Sequence, residues 1–206
     1  MQNKIRVIGI TGITGSGTST VAGILKEHGG FVISADILAH DAIKKGQEAH
    51  KKIVEVFGES ILLPDGEISR KSLGALVFGE ENKNNRECLE SIIHPIVLAS
   101  IKELVRSCEN PFAVIDAPLL IESSLDKECD EVWLVTAVDE VRISRIMERD
   151  GVDKATAEKR IKSRQDEENL RRRADVIISN NGDCLSLCEQ VSNFFNMQNR
   201  NSSSLC

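Results

Sequence analysis

Five short runs of apolar, largely β-branched residues, separated by helical stretches, constrain the fold of this 206-residue chain more than any other feature. They are the candidate strands at 5–11, 30–34, 112–117, 131–137 and 174–179. Such nearly continuous apolar runs are typical of strands that are buried on both faces of a parallel sheet. Helical patterns that can form the crossovers lie at 18–28, 138–149 and 183–197. The pattern therefore predicts an α/β fold with a doubly wound, five-stranded parallel sheet.

A glycine-rich stretch, GITGSGTST at 12–20, lies between the first candidate strand and the first candidate helix. It fits the phosphate-binding pattern G-x-x-x-x-G-K-[ST] with one exception, because Thr18 occupies the lysine position. Glycines let successive backbone N–H groups converge on phosphate oxygens, the helix start adds a positive dipole end, and Ser19 is placed to ligate magnesium. The strand before and the helix after favour a working loop over an ordinary glycine-rich turn.

Two aspartates follow candidate strands. Asp36 comes just after the second strand, at the edge of a parallel sheet where the phosphate loop also lies. A carboxylate there can accept a proton from a substrate hydroxyl, although aspartate is equally suited to cap a helix. Asp116 ends the third strand, where a carboxylate can hold a magnesium-bound water; the alternative is a capping or turn residue.

Two segments interrupt the strand pattern. The mostly helical stretch 37–110 is too long for a plain crossover and predicts an insertion that closes over the carboxyl edge of the sheet. Inside it, the dipeptide His94-Pro95 predicts a helix boundary set by proline. The second segment, 141–170, is dense in arginine and predicts a lid of two helices that meet at Asp150-Gly151.

Arginines of this lid can surround a phosphoryl group during transfer. The candidates are Arg145, Arg149 and Arg164. The alternative for each of them is a solvated helix face that pairs its arginines with the acidic residues Glu148, Asp150 and Glu158. Arg171, Arg172 and Arg173, just beyond the lid, are predicted to form surface ion pairs.

Composition excludes several classes of function. The net charge of -6 argues against a nucleic-acid partner and against an anionic membrane surface. No apolar run reaches the roughly 18 to 20 residues of a membrane span, and the N-terminus has no signal-peptide pattern, so we expect a cytoplasmic protein. None of the six cysteines forms a C-x-x-C pair, which predicts reduced thiols and no zinc site.

A series of motifs occurs in order along residues 9 to 183. They are GITGITGSGTSTVAGILKEHG, VISADILAH, FGESILLPDGEISRKSLGALVF, IIHPIV, APLLIESSL, RIMERDGV, SRQ and RRRADVIISNNGD. This ordered set resembles the dephospho-coenzyme A kinase family. The resemblance implies one P-loop NTPase-type domain over 1–206, which transfers the γ-phosphate of ATP, with Mg²⁺, to the ribose 3′-hydroxyl of dephospho-coenzyme A.

The resemblance also implies roles for individual residues. The ATP-binding loop would consist of Gly15, Ser16, Gly17, Thr18, Ser19 and Thr20. Asp36 would be the base, Arg145 and Arg149 the lid cations, and Asn181 would lie near adenine, while Ser19 and Asp116 serve the metal. The chain departs from the family at Thr18 and at Ser34, where the family usually has lysine and aspartate. Another P-loop nucleotide or nucleoside kinase and a catalytically decayed nucleotide-binding protein are the alternatives.

Overall fold

The computed structural model describes residues 5–162 and 167–203. Its strands are β1 Arg6–Gly12, β2 Phe31–Ser34, β3 Phe112–Asp116, β4 Glu131–Thr136 and β5 Val176–Ser179. Its α-helices are α1 Thr18–Glu27, α2 Ala35–Ala42, α3 Glu48–Phe57, α4 Arg70–Val77, α5 Lys83–Arg106, α6 Asp139–Asp150, α7 Lys154–Lys162, α8 Glu167–Arg173 and α9 Cys184–Ser203. All five predicted strands are confirmed within two residues at each end.

The five strands form one parallel sheet in the order β2-β3-β1-β4-β5, which confirms the predicted fold class. The central strand β1 pairs in parallel with β3, where Ile10 lies opposite Asp116, and with β4, where Gly12 lies opposite Val135. Because parallel strands end at the same edge, this register places the loop after Gly12 and the carboxylate of Asp116 at one edge of the sheet.

The main hydrophobic core lies between the sheet and the helices α1 and α9. Ile8 and Ile10 of β1 and Trp133 of β4 are fully buried there, beside Leu25 of α1 and Val191 of α9. Each fully buried aliphatic side chain contributes about 1.5–3 kcal/mol. This packing makes β1 and α1 a fixed support for the loop that joins them.

The chain divides into two compact units, Met1–Ile33 with Cys108–Cys206, and Ser34–Ser107. The second unit is helical and contains α2 to α5. Its own hydrophobic cluster is centred on the buried residues Ala49, Ile53, Ile61, Ile68, Leu73 and Val77.

The longest helix of this second unit passes through a proline. Pro95 lies inside α5, so the prediction of a helix boundary at His94-Pro95 is wrong. A proline within a helix removes one backbone hydrogen bond and costs about 3 kcal/mol. Ile92, Ile93 and Ile96 pack against the hydrophobic cluster of the unit, and burial of such side chains offsets a cost of this size.

The arginine-rich segment contains the predicted helix break at Asp150-Gly151. Its first helix, α6, ends at Asp150, with Gly151 in the left-handed conformation at φ 62°, so the predicted break is confirmed. After α7 the described chain resumes with α8, and residues 163–166 between them lie outside the described residues, so the number of helices in this segment stays a prediction. Arg164 lies outside the described residues.

The three consecutive arginines of α8 form ion pairs. Exposed pairs join Arg171 to Glu167 and Arg172 to Glu168, one helical turn earlier. Arg173 pairs instead with Asp126, whose side chain is largely buried. The prediction of surface ion pairs is confirmed for the first two arginines, whereas the third ties α8 to a different part of the chain.

No helix among the described residues combines the length and the apolar character that a membrane crossing requires. The cytoplasmic location stays a prediction.

Candidate phosphate-binding site

The glycine-rich loop joins the end of β1 to the start of α1. Gly15 and Gly17 have φ angles of 84° and 93°, a left-handed conformation that residues with a side chain rarely adopt. Gly17 is the N-cap of α1, and no side chain caps this helix start. The first N–H groups of α1 therefore point out of the helix without a side-chain acceptor, as an anion site at a helix N-terminus requires.

The loop also leaves no room for larger residues at its two flanking glycines. A Cβ atom at Gly12 would lie 2.6 Å from both the Ser16 Oγ and the Val135 carbonyl oxygen. A Cβ atom at Gly17 would collide with the Asn180 side-chain nitrogen. Close packing of the loop backbone against its surroundings thus explains these glycines, beyond their conformational freedom.

A hydroxyl and a carboxylate meet beside the loop. The Ser19 Oγ donates to Asp116 Oδ2 over 3.4 Å, from the second residue of α1 to the last residue of β3. Magnesium prefers hard oxygen ligands and is commonly held by one or two protein groups together with substrate phosphates. The pair therefore fits a magnesium ion, and this contact favours the metal interpretation of Asp116 over a turn residue.

Arg145 of α6 reaches the loop. Its Nη1 donates to the Ser16 carbonyl oxygen over 3.2 Å, and its Nη2 donates to Asn180 Oδ1 over 3.1 Å. The Asn180 Nδ2 in turn donates to the same Ser16 carbonyl oxygen over 2.7 Å. Arg145 is thus part of a closed polar contact with the loop, which excludes the alternative of a solvated helix face for this arginine.

Arg149, one turn further along α6, has a different environment. Its Nε and Nη2 donate to the two carboxylate oxygens of Asp150 over 2.7 and 3.1 Å, and Arg160 of α7 pairs with the same carboxylate. The hydrogen bond to Asp150 raises the pKa of Arg149, and it lowers the pKa of Asp150 in turn. In the structure the Arg149 side chain is exposed and paired with Asp150, as the alternative of a solvated helix face predicts.

The N-terminus of α2 separates two interpretations of Asp36. The N-cap is Ser34, whose hydroxyl accepts from the Ile37 N–H over 3.4 Å, so the alternative that Asp36 caps the helix is wrong. Asp36 is exposed in the first turn of the helix, where a negative charge interacts favourably with the helix dipole. Its role as a base stays a prediction.

Two neighbouring asparagines follow β5. The side chain of Asn181 accepts from the Val138 N–H over 2.8 Å and donates to the Ser179 hydroxyl over 2.9 Å, so it ties β5 to the start of α6. Asn180, which the sequence interpretation did not single out, is the one that contacts the loop. Its position just past the end of a parallel strand is the same signal that pointed to Asp36 and Asp116.

A parallel sheet whose central strand runs into a loop of this geometry is the framework of the P-loop kinases. The solved structure of a dephospho-CoA kinase from Campylobacter jejuni has the same fold, with a TM-score of 0.61 and 27% identity, covering 94% of this chain and 97% of that chain. A protein of known structure from Thermus thermophilus matches with a TM-score of 0.82 and 30% identity, over 95% of this chain and 98% of its own.

Sequence comparison narrows this class to one family. The family model described as Dephospho-CoA kinase matches residues 6–186, which is most of the chain. A dephospho-CoA kinase from Geobacter sulfurreducens is 44% identical over 182 residues, which cover 86% of this chain and 91% of that protein. The chain belongs to the dephospho-CoA kinase family.

Proposed function

We propose that this protein transfers the γ-phosphoryl group of ATP to the ribose 3′-hydroxyl of dephospho-coenzyme A, the last step of coenzyme A synthesis. The observation that carries this proposal is the family match over residues 6–186, together with a loop whose geometry fits the phosphates of ATP. The hydroxyl oxygen forms the new bond to the γ-phosphorus, and the bond from that phosphorus to the oxygen of ADP breaks.

In this proposal, residues of the sheet unit hold the phosphates. The loop from Gly15 to Thr20 cradles the phosphate oxygens with its N–H groups, apart from those of Ser16 and Thr20, which donate to the carbonyl oxygens of Ile13 and Gly17. Ser19 and Asp116 would hold the magnesium ion, which when bound neutralises charge on the β- and γ-phosphates. We place Asn181 near adenine, since it lies at the carboxyl edge beside the start of α6.

Asp36 acts on the acceptor in the proposal. Its carboxylate orients the 3′-hydroxyl and takes its proton as the oxygen attacks. This assignment is supported by the presence of Ser34 at the N-cap, which leaves the Asp36 carboxylate exposed and without the capping bond. The helical segment 37–110 receives dephospho-coenzyme A, and the segment 141–170 forms the lid with Arg145 and Arg149.

One observation favours a second candidate function. Thr18 lacks the charge of the usual lysine, as expected for a protein that binds nucleotides but no longer turns them over. Against this candidate stand the Ser19–Asp116 pair and the left-handed glycines of the loop, which a decayed site has no need to retain.

The test measures ADP release in a coupled assay with magnesium, ATP and dephospho-coenzyme A, beside a panel of nucleotides and nucleosides as acceptors. We expect coenzyme A and ADP in equal amounts, and faster release with dephospho-coenzyme A than with any nucleotide. Equal, slow ADP release with and without an acceptor would contradict the proposal. Tight ATP binding without turnover would support the second candidate.

A further inference from the structure

The glycine-rich loop lacks the lysine that phosphate-binding loops normally have, because Thr18 occupies its position. That lysine contacts the β- and γ-phosphates, where charge accumulates during transfer. Thr18 offers a hydroxyl instead, so another cation must supply the charge. Resting on the proposed function, we propose that Arg145, held in place by Asn180, takes over the task of the missing lysine and that Arg149 does not.

The position of the Arg145 guanidinium carries the first part of this inference. It bonds to the carbonyl of Ser16 and lies 3.7 Å from the position of a Cβ atom on Gly17, the residue directly before Thr18. A guanidinium has five N–H donors. The two contacts within the described structure use one donor on each of Nη1 and Nη2. Three donors remain for phosphate oxygens.

Asn180 carries the second part, because it fixes the direction of that guanidinium. The residue is 4% exposed, and its backbone N–H donates to the Thr136 carbonyl oxygen over 2.8 Å, which anchors it between β4 and β5. One end of its amide accepts from Arg145 and the other end donates to Ser16. A cation held in this way needs little reorganisation when charge develops, which is the condition for strong electrostatic stabilisation. Asn180 is therefore a positioning residue.

The surroundings of Arg149 explain why it is not the replacement. Both carboxylate oxygens of Asp150 accept from it, and its side chain is 66% exposed. To serve a phosphate it would have to leave a bidentate partner. Arg145 has no carboxylate partner in the described structure, so its charge is not neutralised by a neighbour.

The experiment is a set of double-mutant cycles with Thr18→Lys. In the unmodified protein, Arg145→Ala should lower kcat by roughly 10²–10³-fold, the loss typical of one electrostatic donor. In the Thr18→Lys background the same change should cost at least about tenfold less, because lysine and arginine then serve overlapping roles. Arg145→Lys serves as a second variant in case the alanine variant does not fold.

Two controls make the cycle specific. Arg149→Ala should cost the same factor with and without Thr18→Lys, since no overlap is proposed for it. Arg171→Ala, which removes an exposed arginine paired with Glu167, should leave kcat unchanged in both backgrounds. An equal cost of Arg145→Ala in the two backgrounds would overturn the inference, and so would a rescue confined to Arg149→Ala.

Asn180→Asp tests the positioning role by a readout that a merely structural role would not move. The carboxylate keeps an acceptor for Arg145 but neutralises its charge and loses the donor to Ser16. We expect AMP-PNP binding to weaken at least about tenfold and Thr18→Lys to restore most of that binding, a rescue that a merely structural defect would not allow. Unchanged AMP-PNP affinity in Asn180→Asp would overturn the role of Asn180.

Binding of AMP-PNP without an acceptor also separates this inference from the proposed function. A protein that fails to phosphorylate dephospho-coenzyme A contradicts the proposed function alone. In that case the cycles are measured as AMP-PNP dissociation constants. An affinity loss for Arg145→Ala that is the same with threonine and with lysine at position 18 contradicts the inference, whatever the acceptor.

Discussion

At the scale of single residues, one hydrogen bond at the N-terminus of α2 bears on the role of Asp36. From the sequence, Asp36 is as suitable for a helix cap as for a base. The structure gives the cap to Ser34, the residue that stands where the family usually has aspartate. The two roles that the sequence left open for Asp36 are thus separated, and its exposed carboxylate is not explained by helix capping.

This separation makes Asp36→Asn a sharp test of the proposed base. The substitution keeps the shape of the side chain and removes its charge, so we expect kcat to fall by roughly 10²-fold or more, the scale of a lost general base. The stability cost should stay below about 1 kcal/mol, because only the interaction with the helix dipole is lost. Steady-state kinetics measure the change in kcat, and urea unfolding of the same sample measures the change in stability.

The matched control for this test is Ser34→Ala. It removes the cap hydrogen bond and should lower stability by about 0.5–2 kcal/mol while kcat changes little. A nearly normal kcat in Asp36→Asn would contradict the proposed role of Asp36 as the base.

The residues of the site could be predicted in part. Glycine spacing located the loop, and strand ends located Asp36 and Asp116, because the carboxyl edge of a parallel sheet is recognisable in sequence. The choice between Asn180 and Asn181 could not be made in this way. Both follow β5, and which one turns its amide toward Ser16 is decided by contacts with β4, α6 and the loop, which lie far away in sequence.

At the scale of elements, α6 and α7 form a helical hairpin that carries several arginines and turns at Gly151. Asp150 closes α6 and binds Arg149 of the same helix and Arg160 of α7. Gly151 provides the left-handed turn between the two helices. The exposed arginines and a single glycine joint are what a lid requires, since it must carry cations and bend at few positions.

If this hairpin closes on its ligands, its amides should exchange more slowly when AMP-PNP and dephospho-coenzyme A are bound. Ligand binding raises the free energy of opening for amides that exchange only from the ligand-free state. At ligand concentrations of 100 times the dissociation constant, this gain approaches about 2.7 kcal/mol. Hydrogen exchange read by mass spectrometry over α6 and α7 measures this gain. Helix α9, which packs on the core, is the internal reference. Equal exchange rates in α6 and α7 with and without ligands would reduce the hairpin to a solvated helical pair.

At the scale of the whole molecule, strand number and fold class were readable from the sequence, but the strand order was not. Apolar runs identify buried parallel strands wherever they occur. Their order, β2-β3-β1-β4-β5, depends on how helices from distant parts of the chain cover the sheet. The wrong prediction at Pro95 has the same cause. Proline usually ends a helix, but the packing of α5 within its own unit outweighs this local preference.

The packing of the whole sheet unit also determines the environment of one thiol. Cys129 packs beside Gly9 of the central strand, where the glycine leaves space for its sulfur atom. Burial raises the pKa of Cys129 from 9.0 to about 12, with the nearby Asp126, Asp130 and Glu128 adding to the effect. The folded protein therefore keeps this proton at pH values where the unfolded chain has already released it.

This difference predicts a loss of stability in alkali. Because the folded pKa of Cys129 is raised, its contribution is fully present below pH 9 and is lost as the pH rises toward 12. One proton released on unfolding corresponds to a slope of at most about 1.4 kcal/mol per pH unit. The free energy of unfolding, measured in urea from neutral pH to pH 10.5, should therefore fall less steeply in Cys129→Ala than in the unmodified protein.

The control is Leu125→Ala, which creates a cavity without removing a titrating group. It should lower the free energy of unfolding at every pH and keep the slope of its pH dependence. Parallel curves for Cys129→Ala and the unmodified protein would mean that Cys129 ionises equally readily in the folded and unfolded chains.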